Sequence, residues 1–323
     1  MNVFTDISDI QRKKNTVITI GTFDGLHLGH MAIIERLKHL SNARGGRSLV
    51  ITFDPHPRSV VNTSEDFRLL TTTREKIGLF GSSGVENLLI LKFTREFAQL
   101  TSEEFFRTVI AGKIGISELV IGYDHRLGRN RDGDESKLRQ LGHIYSFGVE
   151  PVFAVNVDGE TVSSTKIRHA LLEGNVAKAS GFLGRHYEIS GKVVPGARRG
   201  RTLGFPTANI QPGDKTKLIP ANGIYLVEFV IHPDGGNTQQ TEESFYGLMN
   251  IGLRPTFADV TEQVIEVYLL DFEGDIYGRE VTVKLLEYMR PEIKFASVQE
   301  LVLKMQNDTA DARQLIFQRF RKD

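Results

Sequence analysis

Apolar and polar positions follow two different rhythms along this chain. In the first half, strand-length apolar runs alternate with stretches of helical periodicity. Val17–Ile20 reads as a buried strand and Gly21–Gly25 as a turn. A helix begins at about Leu28, where Ile33, Leu37 and Leu40 recur at i, i+4 and i+7. Further strands are predicted at Ser48–Phe53, Glu86–Phe93, Glu118–Gly122 and Val149–Val155, with a helix over Ser102–Ile110. Such alternation favours an α/β domain in which helices cover both faces of a parallel sheet. Beyond about residue 182 the rhythm shortens. Strands at Glu188–Val194, Gly223–Ile231, Phe245–Ile251, Val264–Leu270 and Glu280–Glu287 are punctuated by Gly and Pro, which predicts an antiparallel barrel or sandwich. Residues 298–320 then read as a helix with Leu301, Met305, Ala312 and Leu315 on its apolar stripe. The expected domains are 1–182 and 183–323, and the polar stretch 232–243 is expected to be a hairpin loop.

Composition supports that division and removes several function classes. A length of 323 residues suits two domains. Hydrophobic and charged fractions of 40% and 25% are those of a globular protein, not of a disordered chain or a coiled coil. Forty basic residues balance forty acidic ones, which argues against a protein that coats nucleic acid. Cysteine is absent, so disulfides, thiolate metal sites and a Cys nucleophile are excluded. No run approaches the roughly 18 apolar residues of a membrane span, and the polar first 16 residues do not form a signal peptide. The expectation is a cytoplasmic protein with neither membrane nor nucleic-acid partner.

The first half carries its chemistry where a strand hands over to a helix. Gly21-Thr22-Phe23-Asp24-Gly25-Leu26-His27-Leu28-Gly29-His30 combines a glycine-rich turn with two histidines three apart at a helix start. Glycines let backbone approach a ligand closely, and a helix N-terminus offers unpaired N–H groups and positive potential. Histidines there can donate to phosphate oxygens as charge builds in an in-line displacement. A lone histidine at such a place would read as a surface residue; two at this spacing after this turn read as functional. A second segment, Ser163-Ser164-Thr165-Lys166-Ile167-Arg168, follows the strand-like Val152–Val157. It opens a helix with Ile167, Ala170 and Leu171 on its buried face. Its hydroxyls, N–H groups and two cations can hold a polyphosphate. Taken alone, the same residues read as a plain cap with two solvated basic side chains.

In the second half, Gly196-Ala197-Arg198-Arg199-Gly200-Arg201-Thr202-Leu203-Gly204-Phe205-Pro206-Thr207-Ala208-Asn209 is the densest signal. Gly-rich backbone and arginines suit phosphates, although a basic run is more often a solvated surface. In an extended segment Thr207 and Asn209 point the same way, and their oxygens are hard ligands suited to Mg²⁺. Glu266 lies in a strand whose alternation separates it, with Tyr268, from Ile265, Val267 and Leu269. It reads either as a general base or as an exposed strand residue, and alternation does not separate the two.

Taken together, His-x-Gly-His and the Ser/Thr-basic segment resemble the nucleotidylyltransferase superfamily. Thr52-Phe53-Asp54-Pro55-His56-Pro57-Arg58 and the segment Gly122–Asp134, both at strand ends, narrow the resemblance to the adenylyltransferase module of the bacterial bifunctional riboflavin kinase/FMN adenylyltransferases, the FAD synthetases. One departure is visible: His125 and Leu127 stand where that family commonly carries Phe. Gly204–Ile210, the segment 250–257 and Glu266–Gly278 resemble the riboflavin kinase module. The resemblance implies a Rossmann-like nucleotidylyltransferase domain, then a small antiparallel β-barrel with a C-terminal helix. It implies that His27 and His30 are catalytic in one module and Glu266 in the other, where it deprotonates the ribityl 5′-hydroxyl. ATP and phosphate contacts are implied at Gly21, Thr22, Phe23, Asp24, Gly29, Ser163, Ser164, Thr165, Lys166, Arg168, Gly196, Arg201 and Gly204. Flavin contacts are implied at Asp54, Pro55, His56, Pro57, Asp124, Arg126, Asn250 and Arg254, and metal contacts at Thr207 and Asn209. The implied ligands are riboflavin, FMN, FAD, ATP and Mg²⁺, in a monomer or weak homo-oligomer. Two readings compete: a nucleotidylyltransferase acting on pantetheine phosphate or a pyridine mononucleotide, and a non-catalytic flavin-binding regulator.

Overall fold

A computed structural model describes every residue except 62–66, 124, 197–199, 201–202, 234–240, 256–260 and 321–323. The chain forms two compact units, Met1–Ser164 and Thr165–Asp323.

The first unit is built on six parallel strands: β1 (Asn2–Phe4), β2 (Thr16–Ile20), β3 (Arg47–Asp54), β4 (Asn87–Lys92), β5 (Glu118–Gly122) and β6 (Gly148–Val152), in the order β1-β4-β3-β2-β5-β6. Strand β2 is buried on both faces, as its unbroken apolar run requires. Ile18 and Ile20 pack into a core with Phe105, Phe106, Leu138 and Leu141. Val17 faces a second core that includes Ile34 and Leu37 of helix α1 (Leu28–Ala43). The centre of the α1 stripe is thus Ile34 and Leu37, with the expected Ile33 and Leu40 flanking it half-buried. The chain leaves β2 toward β3 on one side and later returns through β5 on the other. That makes the carboxyl ends of β2 and β5 the switch point at which open α/β sheets bind ligands.

Two elements differ from expectation. The predicted helix over Ser102–Ile110 starts as an α-turn at Ser102–Phe105 and continues π-helically over Phe106–Ile114. The strand predicted over Val149–Val155 stops at Val152. The next residues fold back as a small hairpin, β7 (Asn156–Val157) with β8 (Glu160–Thr161). Asp158 and Gly159 both take positive φ, the geometry of a tight two-residue hairpin turn, which lets Asn156–Val157 pair with Glu160–Thr161.

In the second unit a closed antiparallel barrel has the order β10-β13-β12-β11-β14-β9. Its strands are β9 (Tyr187–Val194), β10 (Thr207–Pro212), β11 (Gly223–Ile231), β12 (Glu243–Pro255), β13 (Thr261–Leu269) and β14 (Glu280–Arg290). Tyr225, Val227, Met249, Val267 and Leu285 fill its interior without solvent exposure. The outer face carries Leu226, Leu248, Leu270 and Leu286, which pack on Ala312 of the terminal helix Val298–Leu315. The 232–243 segment does join two hairpin partners, β11 and β12, and residues 234–240 of it lie outside the described residues.

The terminal helix is fastened by charge as well as by apolar contact. Arg290 of β14 grips the buried Asp308 with two nitrogens, at 3.0 and 2.6 Å to Oδ2, and Lys304 adds a contact at 3.0 Å. Asp308→Ala leaves the guanidinium without its partner. It is expected to destabilise the barrel unit by about 2–3 kcal/mol, less than a wholly buried pair because Arg290 retains some solvent contact. Denaturant titration checks this, and an unchanged midpoint would show that apolar contacts alone hold the helix.

Candidate active sites

At the carboxyl end of β2 the turn is held from several directions. Gly21 N–H donates to the Ile51 carbonyl at 3.0 Å. The Thr22 carbonyl accepts from Thr52 Oγ1 at 3.2 Å and from Lys76 Nζ at 2.8 Å. Phe23, Gly25 and Leu26 all have positive φ, so the turn is strained and needs these anchors. Asp24 is buried, and its Oδ1 accepts the amides of Leu70 and Thr71 at 3.0 and 3.1 Å. Thr71 Oγ1 in turn accepts from Gly25 N–H at 3.1 Å. The Asp24 carboxylate therefore faces the protein, where it orders the turn. Ser164 Oγ donates to the Asp24 carbonyl at 2.8 Å, so Ser164, the first residue of the helix Ser164–Leu172, is tied to the turn, with Ser163 just before it. Thr165, Lys166 and Arg168 continue that helix, and Ile167, Ala170 and Leu171 are its buried residues, as expected.

His27 caps α1. Its Nδ1 accepts the His30 amide at 3.3 Å, so in the neutral ring the proton sits on Nε2, which remains a donor. The His27 and His30 rings stack at 3.6 Å and 13°, and Phe23 meets the His30 ring edge-on at 5.2 Å. Gly29 allows this stack, because a Cβ there would press on the His27 ring at 3.2 Å.

Neighbouring strand ends supply further surfaces. Asp54 ends β3, Pro55 is exposed, and Pro57 opens a short helix, Pro57–Val61. His56 is buried, receives the Arg58 amide on Nδ1 at 3.1 Å and lies 4.6 Å from the Phe67 ring. Phe53, Phe93 and Phe97 form an aromatic cluster at the same end of β3 and β4, with centroids 5.5–5.9 Å apart. Past β5 opens a cavity of about 560 Å³ lined by Tyr123, His125, Arg126 and the start of the helix Glu135–Tyr145. Asp124 lies outside the described residues. His125 and Leu127, the two departures from the family pattern, separate here: His125 lines the cavity, whereas Leu127 bridges to Gly133 and packs on the core.

Three candidates meet on the outer face of the barrel. Strand register places Asn209 opposite Glu266 on one side and Asn250 opposite Glu266 on the other. Thr207 lies opposite Tyr268, two residues along the same face, and Phe205 packs edge-on against Tyr268 at 5.1 Å. Gly196 leaves room for Asn209: a Cβ at 196 would collide with the Asn209 amide. Asn250 Oδ1 is buried with no hydrogen-bond partner among the described residues. Gly204 takes a positive φ in the turn before β10. Arg201, with Arg198 and Arg199, lies outside the described residues, as does the Arg254 side chain.

Residues 9–166 match the FAD synthetase family and residues 183–316 the riboflavin kinase family. The bifunctional riboflavin kinase/FMN adenylyltransferase of Listeria monocytogenes is 35% identical over 300 residues, covering 93% of this chain and 92% of its own. Its Escherichia coli K12 counterpart is 36% identical over 302 residues, covering 94% and 93%. The chain belongs to the bifunctional riboflavin kinase/FMN adenylyltransferase family. A crystal structure named Macrolide-efflux Protein, from Streptococcus pneumoniae, shares the fold at TM-score 0.85 and 31% identity, covering 96% of this chain and 98% of its own. Among the described residues of this family member, no helix is long and apolar enough to cross a membrane. The riboflavin kinase match removes the reading as a single-activity nucleotidylyltransferase for another substrate.

Thr52 and Phe53 belong to a segment that carries the family resemblance but had no role of their own, and Thr71, Lys76, Phe93 and Phe97 were passed over. Lys76 had a usable signal. It lies one helical turn before Phe80, hence on the apolar face, in a helix opened by the Thr72–Glu75 capping box.

Asp24→Ala would leave the Leu70 and Thr71 amides unmatched, at about 1–3 kcal/mol each. Both amides are expected to lose hydrogen-exchange protection while the barrel keeps its own. Unchanged protection would show that Asp24 does not anchor the turn.

Proposed function

We propose that the two activities of this family are divided between the barrel's outer face and the switch-point turn. The register Asn209–Glu266–Asn250 carries this reading, because it brings together a carboxylate and hard oxygen donors from three strands. Glu266 takes the proton from the 5′-hydroxyl of riboflavin, and the resulting oxygen attacks the γ-phosphorus of ATP. ADP leaves and FMN remains. Asn250 Oδ1, an acceptor without a partner among the described residues, is positioned to receive a flavin hydroxyl beside Glu266. Gly196 and Gly204 leave the backbone around Asn209 open to phosphate, and we assign Arg201 and Arg254 to the same face.

Thr207 and Asn209 would hold a divalent cation, which we assign as Mg²⁺. The cradle fits, since only Gly at 196 spares the Asn209 amide. When bound, the ion offsets triphosphate charge and orients the transferred group.

At the turn, the FMN phosphate attacks the α-phosphorus of ATP and pyrophosphate leaves. His27 donates through Nε2, and His30, the backbone of Gly21, Thr22, Phe23 and Gly29, and the Ser163–Arg168 segment bind the phosphates. Asp24 holds the turn rather than the ligand. The flavin lies against the ends of β3 and β5, where Asp54–Pro57 and Arg126 stand, and we assign Asp124 as a further flavin contact. Family matches that stop at 166 and resume at 183 support a functional division near 182/183. A cysteine-free chain suits the cytoplasm.

His27→Ala is expected to lower FAD formation by about 10²–10³-fold and leave FMN formation intact. Glu266→Ala is expected to lower FMN formation by about 10²–10⁴-fold and still convert supplied FMN to FAD. Chromatography of the flavins reads both, and EDTA is expected to stop both until Mg²⁺ is restored. A folded variant that loses both activities contradicts separate sites. A wild-type protein that binds flavin but makes neither product favours the regulator.

A further inference from the structure

Below the switch-point turn lies a positive charge that the chemistry above does not use. Lys76 belongs to the helix Thr73–Ser82 and is 5% exposed. Its Nζ donates to the Thr22 carbonyl at 2.8 Å and reaches Thr52 Oγ1 only at 3.5 Å. An ammonium has three donors, so this one has a single short acceptor. Among the described residues no carboxylate forms a salt bridge with it. Asp24 and Asp54 attract it from farther away, and the Asp24 carboxylate is already engaged by the Leu70 and Thr71 amides. Burial lowers the lysine's pKa, as expected for a cation that lacks a close counter-ion.

The contact falls at a sensitive point. Thr22 is the residue before the strained Phe23, and in a trans peptide the carbonyl of one residue and the N–H of the next point in opposite directions. Holding the Thr22 oxygen from inside therefore fixes the Phe23 N–H on the other side of that peptide. A buried ammonium is an expensive way to satisfy one carbonyl, since a neutral donor would serve with less desolvation. The charge itself becomes useful when an anion occupies the turn, because in a low-dielectric setting a fixed cation acts strongly across a few ångströms.

We propose that Lys76 is a positioning residue for adenylyl transfer. Its ammonium pins the Thr22–Phe23 peptide from below and gives the turn a fixed positive field that favours a bound triphosphate. This inference rests on reading the Gly21–His30 turn as the adenylyl-transfer site.

The test uses the full chain with FMN and ATP as substrates, and FMN formation from riboflavin as control for the barrel unit. Lys76→Met and Lys76→Gln are expected to lower kcat/KM for ATP in FAD formation at least 50-fold, chiefly through KM. Lys76→Arg, which keeps the charge, is expected to stay within tenfold of wild type, and FMN formation within twofold in all three. Gln can still donate to the Thr22 carbonyl, so Lys76→Gln within threefold of wild type would reduce Lys76 to a hydrogen-bonding brace and overturn the proposal. If the uncharged variants unfold, the pH profile decides. Wild-type FAD formation is expected to fall on the alkaline side as Lys76, the cation attracted by Asp24 and Asp54, deprotonates, and Lys76→Arg is expected to lack that fall. Superimposable alkaline limbs would overturn the proposal. A wild-type protein that forms no FAD overturns the underlying site reading, whereas one that forms FAD with an unimpaired Lys76→Gln overturns only the role of Lys76.

Discussion

Side chains on a strand alternate between faces, so a slip of one residue in β13 would carry Glu266 into the barrel interior and Val267 out beside the ligand face. What prevents the slip is apolar burial. Ile265 and Val267 are buried, as are Met249 and Ile251 on the neighbouring strand. A one-residue slip would expose these side chains and desolvate a carboxylate, a cost of several kcal/mol. The same alternation puts Asn209 and Asn250 on the outer face with Glu266, and the strand pairing seats them on either side of it. The hydrophobic interior thus specifies the polar exterior, and the chemistry of this unit follows from how its core packs.

The sheet unit solves its own problem differently. A parallel strand buried on both faces cannot carry a reactive side chain within its length, so the functional groups gather where β2 ends. Three consecutive anchors stabilise a turn with unfavourable backbone angles: the Thr22 carbonyl on Lys76 and Thr52, the Asp24 carboxylate on Leu70 and Thr71, and the His27 ring on the His30 amide. Two of them act on the backbone of the turn or of the helix it opens, and Asp24 ties the turn to the Leu70–Thr71 backbone.

Much of this was legible in the sequence because it depends on local spacing. The strands β2, β5 and β11, the histidine pair, the apolar stripe of the helix Ser164–Leu172 and the Thr207–Asn209 alternation all follow from periodicity within a few residues. Glu266 could be assigned to a face by alternation, but its neighbours could not, since β10 and β13 lie more than fifty residues apart and only barrel closure pairs them. Helical spacing puts Lys76 on the apolar face of its helix, but the contact of its ammonium with the Thr22 carbonyl depends on tertiary packing that no local pattern shows. Leu127 looked like a lost aromatic contact and proved to be a packing position. The strand predicted over Val149–Val155 was overextended, since β6 stops at Val152 and the chain forms a separate small hairpin across Asp158 and Gly159.

The central claim is that the Asn209–Glu266–Asn250 row faces the reacting hydroxyl. A crystal structure of the protein with riboflavin, ADP and Mg²⁺ tests it most directly. The ribityl 5′-oxygen is expected within about 2.6–3.2 Å of a Glu266 carboxylate oxygen, with the ion on Thr207 and Asn209. A riboflavin whose 5′-oxygen lies against another strand or face, with Glu266 in solvent, would contradict it.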